Sequence, residues 1–358
     1  MTTPPRLLLL VCGIVLMTAP GYTQDPGRRP PDAPPVPAVP EMPRRGGQGG
    51  PGRGLIEPPR PLNAIPGWNQ EQFQKSVELG PRAIFELSNS LGEVRVTGTD
   101  GNTIRLTAVK RVKELNKDAA RALLQNVVIR VTERGGGVEV FTENPSRNMT
   151  PILIDFEVGV PIATNVSIRN TGTVRVSNVK GELRAETFAG NMQLTNVARV
   201  RQAKTYGGNI VINGAEGEEV SAEASLNGIM QLRGVRARTI ELRGYGGRIS
   251  ASDVDCERCE FKTFGGEIEF SGSLRRNGRY AIDSVNGNIR MVIDGNVGFD
   301  LEAVSSNVRS DFELKKTAPS PGAAARIVRG SYGDGSAVLT LRTFGGSITV
   351  ARPGGTAR

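Results

Sequence analysis

The sequence that decides the fold is a short pattern, a glycine followed by alternating apolar residues, which begins at Gly172 and returns along the chain. Its copies are GTVRV at 172–176, GNMQL at 190–194, GNIVI at 208–212, GIMQL at 228–232, GRISA at 247–251, GEIEF at 266–270 and GNIRM at 287–291. A degraded copy, SNVRS, follows at 306–310, and GSITV at 346–350 ends the series. Successive copies as far as 306 start 18 to 21 residues apart. This period predicts a solenoid, in which stacked coils bury apolar side chains that one coil could not bury alone.

The alternation within each copy indicates a strand with one buried face. Side chains of a strand alternate between its two faces, so the second and fourth residues after the glycine share a face. They are apolar in every full copy: Val174/Val176, Met192/Leu194, Ile210/Ile212, Met230/Leu232, Ile249/Ala251, Ile268/Phe270 and Ile289/Met291. Each unit has room for a second strand before the glycine, such as Ile240/Leu242. We therefore predict an all-β, single-chain β-solenoid (β-helix-like) over residues 163–352, with coils of about 19 residues.

The residue two places before the glycine is also patterned. It is Phe188, Tyr206, Leu226, Tyr245, Phe264, Val285, Val304 and Phe344 in successive units. Stacked coils should align these side chains into an aromatic and aliphatic ladder. The glycine pairs in TYGG, GYGG and TFGG are expected to allow positive φ at the corner between strands.

The pattern also raises expectations about the two ends of the solenoid. GEVRV at 92–96 stands far upstream and is expected to be an isolated copy. The Pro/Ala/Gly-rich stretch Lys315–Ala325 is expected to loop out, which would make GSITV the closing coil. Residues 67–162 are predicted to form a small β-rich N-terminal cap, because an open solenoid end exposes unpaired backbone groups. One short helix is predicted in this cap at Lys117–Gln125, with Asn116 as its N-cap.

The remaining segments predict export. Residues 1–24 have the charged start and the short apolar run, Leu7–Met17, of a secretory signal peptide. That run is too short for a membrane anchor, and no later segment is predicted to span a membrane. Residues 25–66 are Pro/Gly/Arg-rich and are predicted to be a disordered linker, and residues 353–358 a disordered tail.

Composition limits the chemistry that the chain can perform. The 358 residues contain no histidine, which excludes Ser-His-Asp and Cys-His catalysis and histidine-ligated metals. The formal net charge of +9 suggests contact with an anionic glycan or an anionic envelope surface, or serves solubility alone. Nucleic acid is not expected, since no nucleic-acid-binding motif is present. Outward basic residues recur and are predicted to form a basic binding stripe, which Glu267 and Glu269 should interrupt: Arg175, Arg184, Lys204, Arg233, Arg248, Arg290 and Arg309.

The two cysteines of the repeat region form a CxxC motif, Cys256-Glu-Arg-Cys259. An exported chain allows a structural disulfide between them. Cys259 also falls in the register of Ile240 and Tyr280, so a buried free thiol is the equal alternative. Redox catalysis would need a helical setting that is missing, and zinc would need two further ligands. No cofactor is implied.

Several stretches together resemble a known family. They are SNSLGEVRVTG at 88–98, the IRLTAVKRV strand at 104–112, the Ala-rich helix and DFEVGVPIATNVSIRNTGTVRVSNVKGEL at 155–183. As a set they resemble the bacterial putative-adhesin domain family, a domain of unknown function, over roughly residues 80–350. The resemblance implies an exported β-solenoid in the periplasm or at the cell surface of a bacterium, without catalytic residues.

Three hypotheses about function follow. The first is an exported, non-enzymatic, adhesin-like binding or scaffold protein of the cell envelope that uses an extended solenoid face. The second is a periplasmic regulatory or assembly partner that self-associates by stacking its ends. The third and weakest is a polysaccharide-active enzyme, since some β-helix enzymes cleave polysaccharides with clustered acids.

Overall fold

The computed structural model of the chain describes residues 65, 67–80, 83–143, 151–316 and 327–354. The predicted signal peptide lies outside these residues, as does the predicted linker apart from Ile65. Residues 317–325 of the predicted loop and residues 355–358 of the predicted tail also lie outside them.

The described chain is all-β with a single helix, which confirms the predicted fold class. Before the regular coils come β1 (Asn69–Glu78), β2 (Ile84–Ser88), β3 (Val94–Thr99), β4 (Thr103–Val112), α1 (Lys117–Asn126), β5 (Val128–Arg134), β6 (Gly137–Glu143) and β7 (Ile152–Pro161). The regular coils comprise β8 (Asn165–Asn170), β9 (Val174–Ser177), β10 (Leu183–Thr187), β11 (Met192–Thr205), β12 (Ile210–Ala224), β13 (Met230–Gly244), β14 (Ile249–Thr263), β15 (Ile268–Gly272), β16 (Arg279–Ser284) and β17 (Ile289–Ile293). The remaining strands are β18 (Phe299–Val304), β19 (Asn307–Ser310), β20 (Lys315–Lys316), β21 (Ile327–Tyr332), β22 (Ala337–Thr343) and β23 (Ser347–Ala351).

The regular coils form two parallel columns of strands. The first column consists of the strand segments that follow the repeated glycine, and the second consists of the segments that precede it. β11 to β14 bend and contribute to both columns, so Ile210 lies opposite Met230 while Val220 lies opposite Ile240. The fourteen apolar side chains predicted to face the core are at most 1% exposed. In-register stacking therefore puts the whole apolar pattern into one continuous core.

A recurring left-handed residue turns the first five coils of the repeat at the end of the first-column strand. It stands six residues after the repeated glycine, and in successive coils it is Asn178, Asn196, Gly214, Gly234 and Asp253, with φ between 51° and 67°. Glycine, asparagine and aspartate are the residues that adopt this conformation most readily. This corner was not predicted from the sequence.

The repeated glycines are required by close approach of the backbone and not by positive φ. A Cβ on Gly208 would lie 2.0 Å from the carbonyl oxygen of Gly190, and a Cβ on Gly266 would lie 1.8 Å from that of Gly247. Neither these glycines nor the paired glycines that precede them have positive φ. The predicted reason for the glycine pairs is therefore wrong. Adjacent coils touch through bare backbone at this corner, where any side chain would separate them.

At the N-terminal end of the solenoid, the spatial order of the strands differs from their order in the chain. β2 pairs in parallel with β8, and β3 pairs with β9, so Val94 of GEVRV lies opposite Val174. The expectation that GEVRV is isolated is therefore wrong, because this coil is distant in sequence but adjacent in space. β6 and β7 pair with the other edges of β2 and β3, and the antiparallel strands β5, β4 and β1 lie beyond them.

At the C-terminal end, too, the spatial order of the strands differs from their order in the chain, because two late strands are inserted between earlier ones. β22 lies between β16 and β18, and β23 lies between β17 and β19. The expectation that GSITV closes the solenoid is wrong, because β19, the SNVRS strand, lies beyond β23, the GSITV strand. β18 is covered in turn by the antiparallel strand β21, which pairs with β20. A terminal strand with partners on both sides exposes no row of unpaired backbone groups.

The single helix α1 belongs to the N-terminal end. The Asn116 side chain accepts hydrogen bonds from the backbone N–H groups of Asp118 and Ala119, which confirms the predicted N-cap. Ala120 and Leu124 form its buried side. In the part of the chain that the structure describes, no helix is both long and apolar enough to cross a membrane.

Candidate functional site

A column of buried hydroxyl groups supports the corner at which each second-column strand ends. Thr205 Oγ1 donates to the carbonyl oxygen of Gly190 at 3.0 Å and accepts from the backbone N–H of Gly208 at 3.1 Å. The equivalent residues stand three places before the repeated glycine: Thr187, Thr205, Thr263, Ser284 and Thr343. One coil is thereby tied to the next through the hydroxyls of Thr187, Thr205, Ser284 and Thr343, whereas the Thr263 hydroxyl accepts from the Gly266 N–H of its own coil.

The residues that follow these hydroxyls form the predicted ladder, and the structure places it on the outside. We use the name aromatic ladder for Phe188, Tyr206, Leu226, Tyr245, Phe264, Val285, Phe344 and Val304, in spatial order. Four of its rings form two contact pairs: Phe188 and Tyr206 are tilted with centroids 5.6 Å apart, and Tyr245 and Phe264 are stacked with centroids 5.4 Å apart. Phe188 is 63% exposed, Tyr245 60% and Phe344 72%. An exposed row of large apolar side chains along several coils is a feature of interaction surfaces.

The ladder has a recess between its two ring pairs. The coil of β12 carries Ser225 and Leu226 at this corner, and Leu226 is left-handed with φ 55°. A recess of about 400 Å³ results, lined by Glu223, Ala224, Ser225, Leu226, Arg243, Gly244 and Tyr245.

A column of charged residues borders the ladder on the side of the second-column strands. In spatial order it contains Arg169, Glu186, Lys204, Glu223, Arg243, Lys262, Asp283 and Arg342. Lys204 Nζ lies 3.0 Å from Glu223 and 4.9 Å from the ring centroid of Tyr206. The hydrogen bond that Lys204 donates to Glu223 raises the pKa of Lys204. Burial raises the pKa of Asp283 above its ordinary value.

Amide and charged side chains border the ladder on its other side, directly after the repeated glycine. The Asn191 side chain accepts a hydrogen bond from the backbone N–H of Asn209 at 2.9 Å, and the Asn209 side chain accepts one from Ile229 at 2.8 Å. Two coils further on, Arg248 donates to Glu267 at 2.6 Å. Ile229 stands in the same row and is 46% exposed, so an apolar side chain adds to the strip next to Leu226, while the other positions named here are polar.

The seven residues of the predicted basic stripe do not share one column. Arg175, Arg290 and Arg309 are equivalent positions on the first column, whereas Arg184 and Lys204 lie on the second column, in different registers. Arg233 and Arg248 lie at the end and at the start of first-column segments.

Carboxylates neutralise four of the seven basic residues. The ion pairs are Arg175–Glu93 at 2.9 Å, Arg184–Glu182 at 2.9 Å, Lys204–Glu223 at 3.0 Å and Arg248–Glu267 at 2.6 Å. Arg233, Arg290 and Arg309 form no ion pair with the residues that the structure describes. The positive charge is thus divided over several columns, with an acid beside most of it.

Cys256 and Cys259 are joined in a disulfide, and both side chains are buried. Cys259 lies between Ile240 and Tyr280, in the register that the sequence indicates. The bond spans the turn inside β14 at which Glu257 and Arg258 point to solvent. It therefore staples one corner of one coil. Among the described residues, no group of acidic or cysteine side chains has the arrangement of a metal site.

A second recess, of about 370 Å³, lies at that corner and was not predicted. Arg258 and Arg279 lie opposite each other in adjacent coils and both line it. Like charges in opposite positions of a sheet are unfavourable. The equivalent pair Arg95 and Arg175 shares the carboxylate of Glu93, but no carboxylate of the described residues forms an ion pair with Arg258 or Arg279.

The sequence predicted the ladder but missed its recess and its bordering columns. The Thr or Ser three places before the glycine was a visible signal for the hydroxyl column, since a small hydroxyl residue recurs beside an aromatic one. The recess could not be found in this way, because it depends on how the corner of the β12 coil, with left-handed Leu226, meets the ring of Tyr245 in the next coil.

Comparison with known proteins places the chain in a family. The family model described as Toastrack DUF4097 matches residues 86–351. No curated protein matches the chain. A "putative adhesin" from Parabacteroides distasonis is 12% identical with a TM-score of 0.40, over 78% of this chain and 97% of that one. A "putative lipid binding protein" from the same species is 12% identical with a TM-score of 0.39, over 78% and 96%. These two similarities are too low to bear on function.

Proposed function

The chain belongs to the Toastrack DUF4097 family, and on that premise we propose that it is an exported, adhesin-like binding or scaffold protein of the bacterial cell envelope without catalytic activity. The observation that carries the proposal is the aromatic ladder. Exposed apolar side chains of this size are unfavourable in water, so a surface that keeps them aligned over several coils is suited to a partner. The hydroxyl column and the glycine contacts hold the ladder in place before the partner arrives, which lowers the entropy lost on binding.

The export part of the proposal is supported by the sequence of residues 1–24, and it can be tested on intact source cells. Cells are treated with protease and probed with an antibody against the solenoid, beside a periplasmic marker protein. Digestion while the marker survives is the expected result for a surface adhesin. Protection until the outer membrane is permeabilised would support a periplasmic scaffold. Recovery of the full-length chain with cytosolic proteins would contradict export.

The periplasmic alternative, in which the protein self-associates by stacking its ends, has less support. The N-terminal end of the solenoid finishes in the antiparallel strands β5 and β1. At the C-terminal end the second column finishes in the antiparallel strands β21 and β20, whereas the first column finishes in the parallel strand β19. Stacking of coils end to end would continue a parallel column, which the antiparallel strands interrupt. Light scattering over a range of concentrations tests this alternative, and a mass that stays at one protomer would count against it.

The enzymatic alternative is tested with the same purified chain. Incubation with acidic and neutral polysaccharides, followed by an assay for new reducing ends, should give no product above the buffer blank. Product that depends on Glu267 or Glu269, two outward acids of the coil around β15, would reverse this conclusion.

A further inference from the structure

We propose that the recess in the aromatic ladder binds one neutral sugar ring of a polysaccharide, a proposal that rests on the adhesin-like function proposed above and names its ligand. The recess lies between the coils of β12 and β13 and is lined by Tyr245, Leu226, Glu223 and Arg243. Its volume of about 400 Å³ is in the range of small-ligand sites.

The apolar wall of the recess suits the carbon face of a sugar ring. Phe264 stacks on Tyr245 from the coil of β14, at 5.4 Å with 11° between the ring planes. The recess lies on the opposite side of Tyr245, towards the coil of β12. An aromatic face is electron-rich and attracts the weakly positive C–H groups of a sugar. The stack with Phe264 also holds the Tyr245 ring in position, so little side-chain entropy remains to be lost.

The polar wall of the recess suits hydroxyl groups better than it suits an ionic group. Glu223 forms an ion pair with Lys204 at 3.0 Å, and Arg243 forms one with Glu241. Both charges that line the recess are thus already compensated, and a carboxylate or phosphate would find no free positive charge there. Sugar hydroxyl groups can still donate to the carboxylate lone pairs of Glu223 that Lys204 does not occupy. They can also accept from the N–H groups of Arg243 that Glu241 does not occupy.

The shape of the surrounding surface favours a chain of sugars over a protein partner. The apolar strip is widened by Ile229 at the recess and is otherwise narrow, with the Asn191 and Asn209 amides on one side and Lys204 and Lys262 on the other. The buried centre of a protein interface is depleted of charged residues, which this strip is not. Neighbouring strands lie about 4.8 Å apart. A pyranose unit in an extended chain is of similar length, so successive sugars can meet successive coils.

Affinity electrophoresis of the full chain in gels that contain a polysaccharide tests the proposal. The neutral probes are hydroxyethylcellulose, dextran and laminarin, and alginate is the acidic probe. We expect at least one neutral probe to retard the protein. Tyr245→Ala should weaken that retardation at least about tenfold in dissociation constant, the loss of one buried aromatic contact. Tyr245→Trp should keep the affinity within about threefold, since the ring face is retained.

Phe141→Ala is the matched control. Phe141 is a large exposed ring on β6, 45% exposed, and it lies outside both the aromatic ladder and the recess. It should leave the retardation unchanged, and the urea midpoints of both alanine variants should be alike. Equal weakening by the two variants would overturn the proposal, as would retardation by alginate alone or by no probe.

A change of oligomeric state in Tyr245→Ala, seen by analytical ultracentrifugation, would also overturn it and would assign the recess to a second copy of the chain. The outcome is separable from that of the proposed function. Surface exposure on intact cells does not depend on Tyr245, so a protein that is digested on cells but ignores neutral polysaccharides would keep the adhesin-like function and lose this ligand.

Discussion

The regular coils and the two ends of this solenoid provide pairing partners for their strand edges by different means. In the coils from β8 to β17, each strand pairs with the strand of the neighbouring unit in chain order, and identical backbone corners stack against each other. At the ends, a coil remote in sequence is inserted and covered by one further parallel coil, and antiparallel strands lie beyond β6, β7 and β18. The repeat pattern therefore specifies which strands pair within the stack, but it does not specify which strands end the stack.

The two regions also bury different groups. The core of the regular coils is apolar apart from the corner hydroxyls, the amide of Asn170 and the phenol of Tyr280. The N-terminal end instead buries Arg111 against Asp155, whose other carboxylate oxygen accepts from the backbone N–H of Glu93 at 2.7 Å. Four substitutions test this contrast, and they follow from the largest expected effect to the smallest.

The largest effect is expected at the glycine corner of the regular coils. In Gly266→Ala the new Cβ would lie 1.8 Å from the carbonyl oxygen of Gly247, so the two coils must separate. We expect the free energy of unfolding to fall by about 5 kcal/mol or more, the size reserved for severe overpacking. Urea unfolding followed by circular dichroism measures it. The control is Gly80→Ala, near the N-terminal end, where nothing lies within 4 Å and little change is expected. Equal stability of the two variants would refute the close-approach explanation.

The next effect is expected at the N-terminal end. Asp155→Ala leaves the buried guanidinium of Arg111 without its carboxylate, which should destabilise the chain by about 3–5 kcal/mol. The double variant Arg111→Met/Asp155→Leu removes both charges and should recover most of this loss. Urea unfolding of the three proteins gives the comparison. If the double variant is no more stable than the single one, Arg111 and Asp155 must also stabilise the chain through contacts other than their mutual charge compensation.

The hydroxyl column should give an intermediate effect within the coils. Thr205→Val removes one hydrogen bond to Gly190 and one from Gly208, at nearly constant volume, and should cost about 1–3 kcal/mol. Thr239→Val, at an outward position of β13, is the matched control and should change stability by less than about 0.5 kcal/mol. The difference between the two urea midpoints is the readout, and its absence would remove the structural role given to the column.

The smallest effect concerns a surface ion pair of the coils and depends on pH. The hydrogen bond from Arg275 holds the pKa of Asp255 below its ordinary value. A carboxylate with a lowered folded pKa adds stability above its unfolded pKa of about 4, and this is lost as pH falls through the folded pKa. Arg275→Gln should therefore flatten the stability profile below about pH 4, by less than about 1 kcal/mol because the pair is half-exposed.

The control for this profile is Arg290→Gln, which removes a charge that forms no ion pair with the described residues. Thermal unfolding at pH 6 and pH 3 compares the variants with the parent chain. A parallel loss in both would mean that net charge, and not the Asp255 pair, governs the acid response.

The sequence predicted the all-β solenoid, its inward residues, its ladder and its capped helix, because each depends on residues close together in the chain. Ile210 and Ile212 are inward because a strand alternates, whatever its neighbours. It failed at GEVRV and GSITV, where the same local pattern is placed by partners more than fifty residues away. The basic stripe was divided for a similar reason, since Arg175 and Arg184 belong to different columns that only the register distinguishes.

Local periodicity, then, determined what each segment of this protein is: a strand, a corner, a helix or an apolar face. Only the tertiary structure decided which segments are neighbours at the two ends, why Gly266 cannot bear a side chain, and that Tyr245 faces a recess and not a filled core. The physical reason is that alternation and φ preference act within a few residues. The order of strands at an end and the space beside a ring depend on which distant backbone segments come into contact, and no short stretch of sequence specifies those contacts.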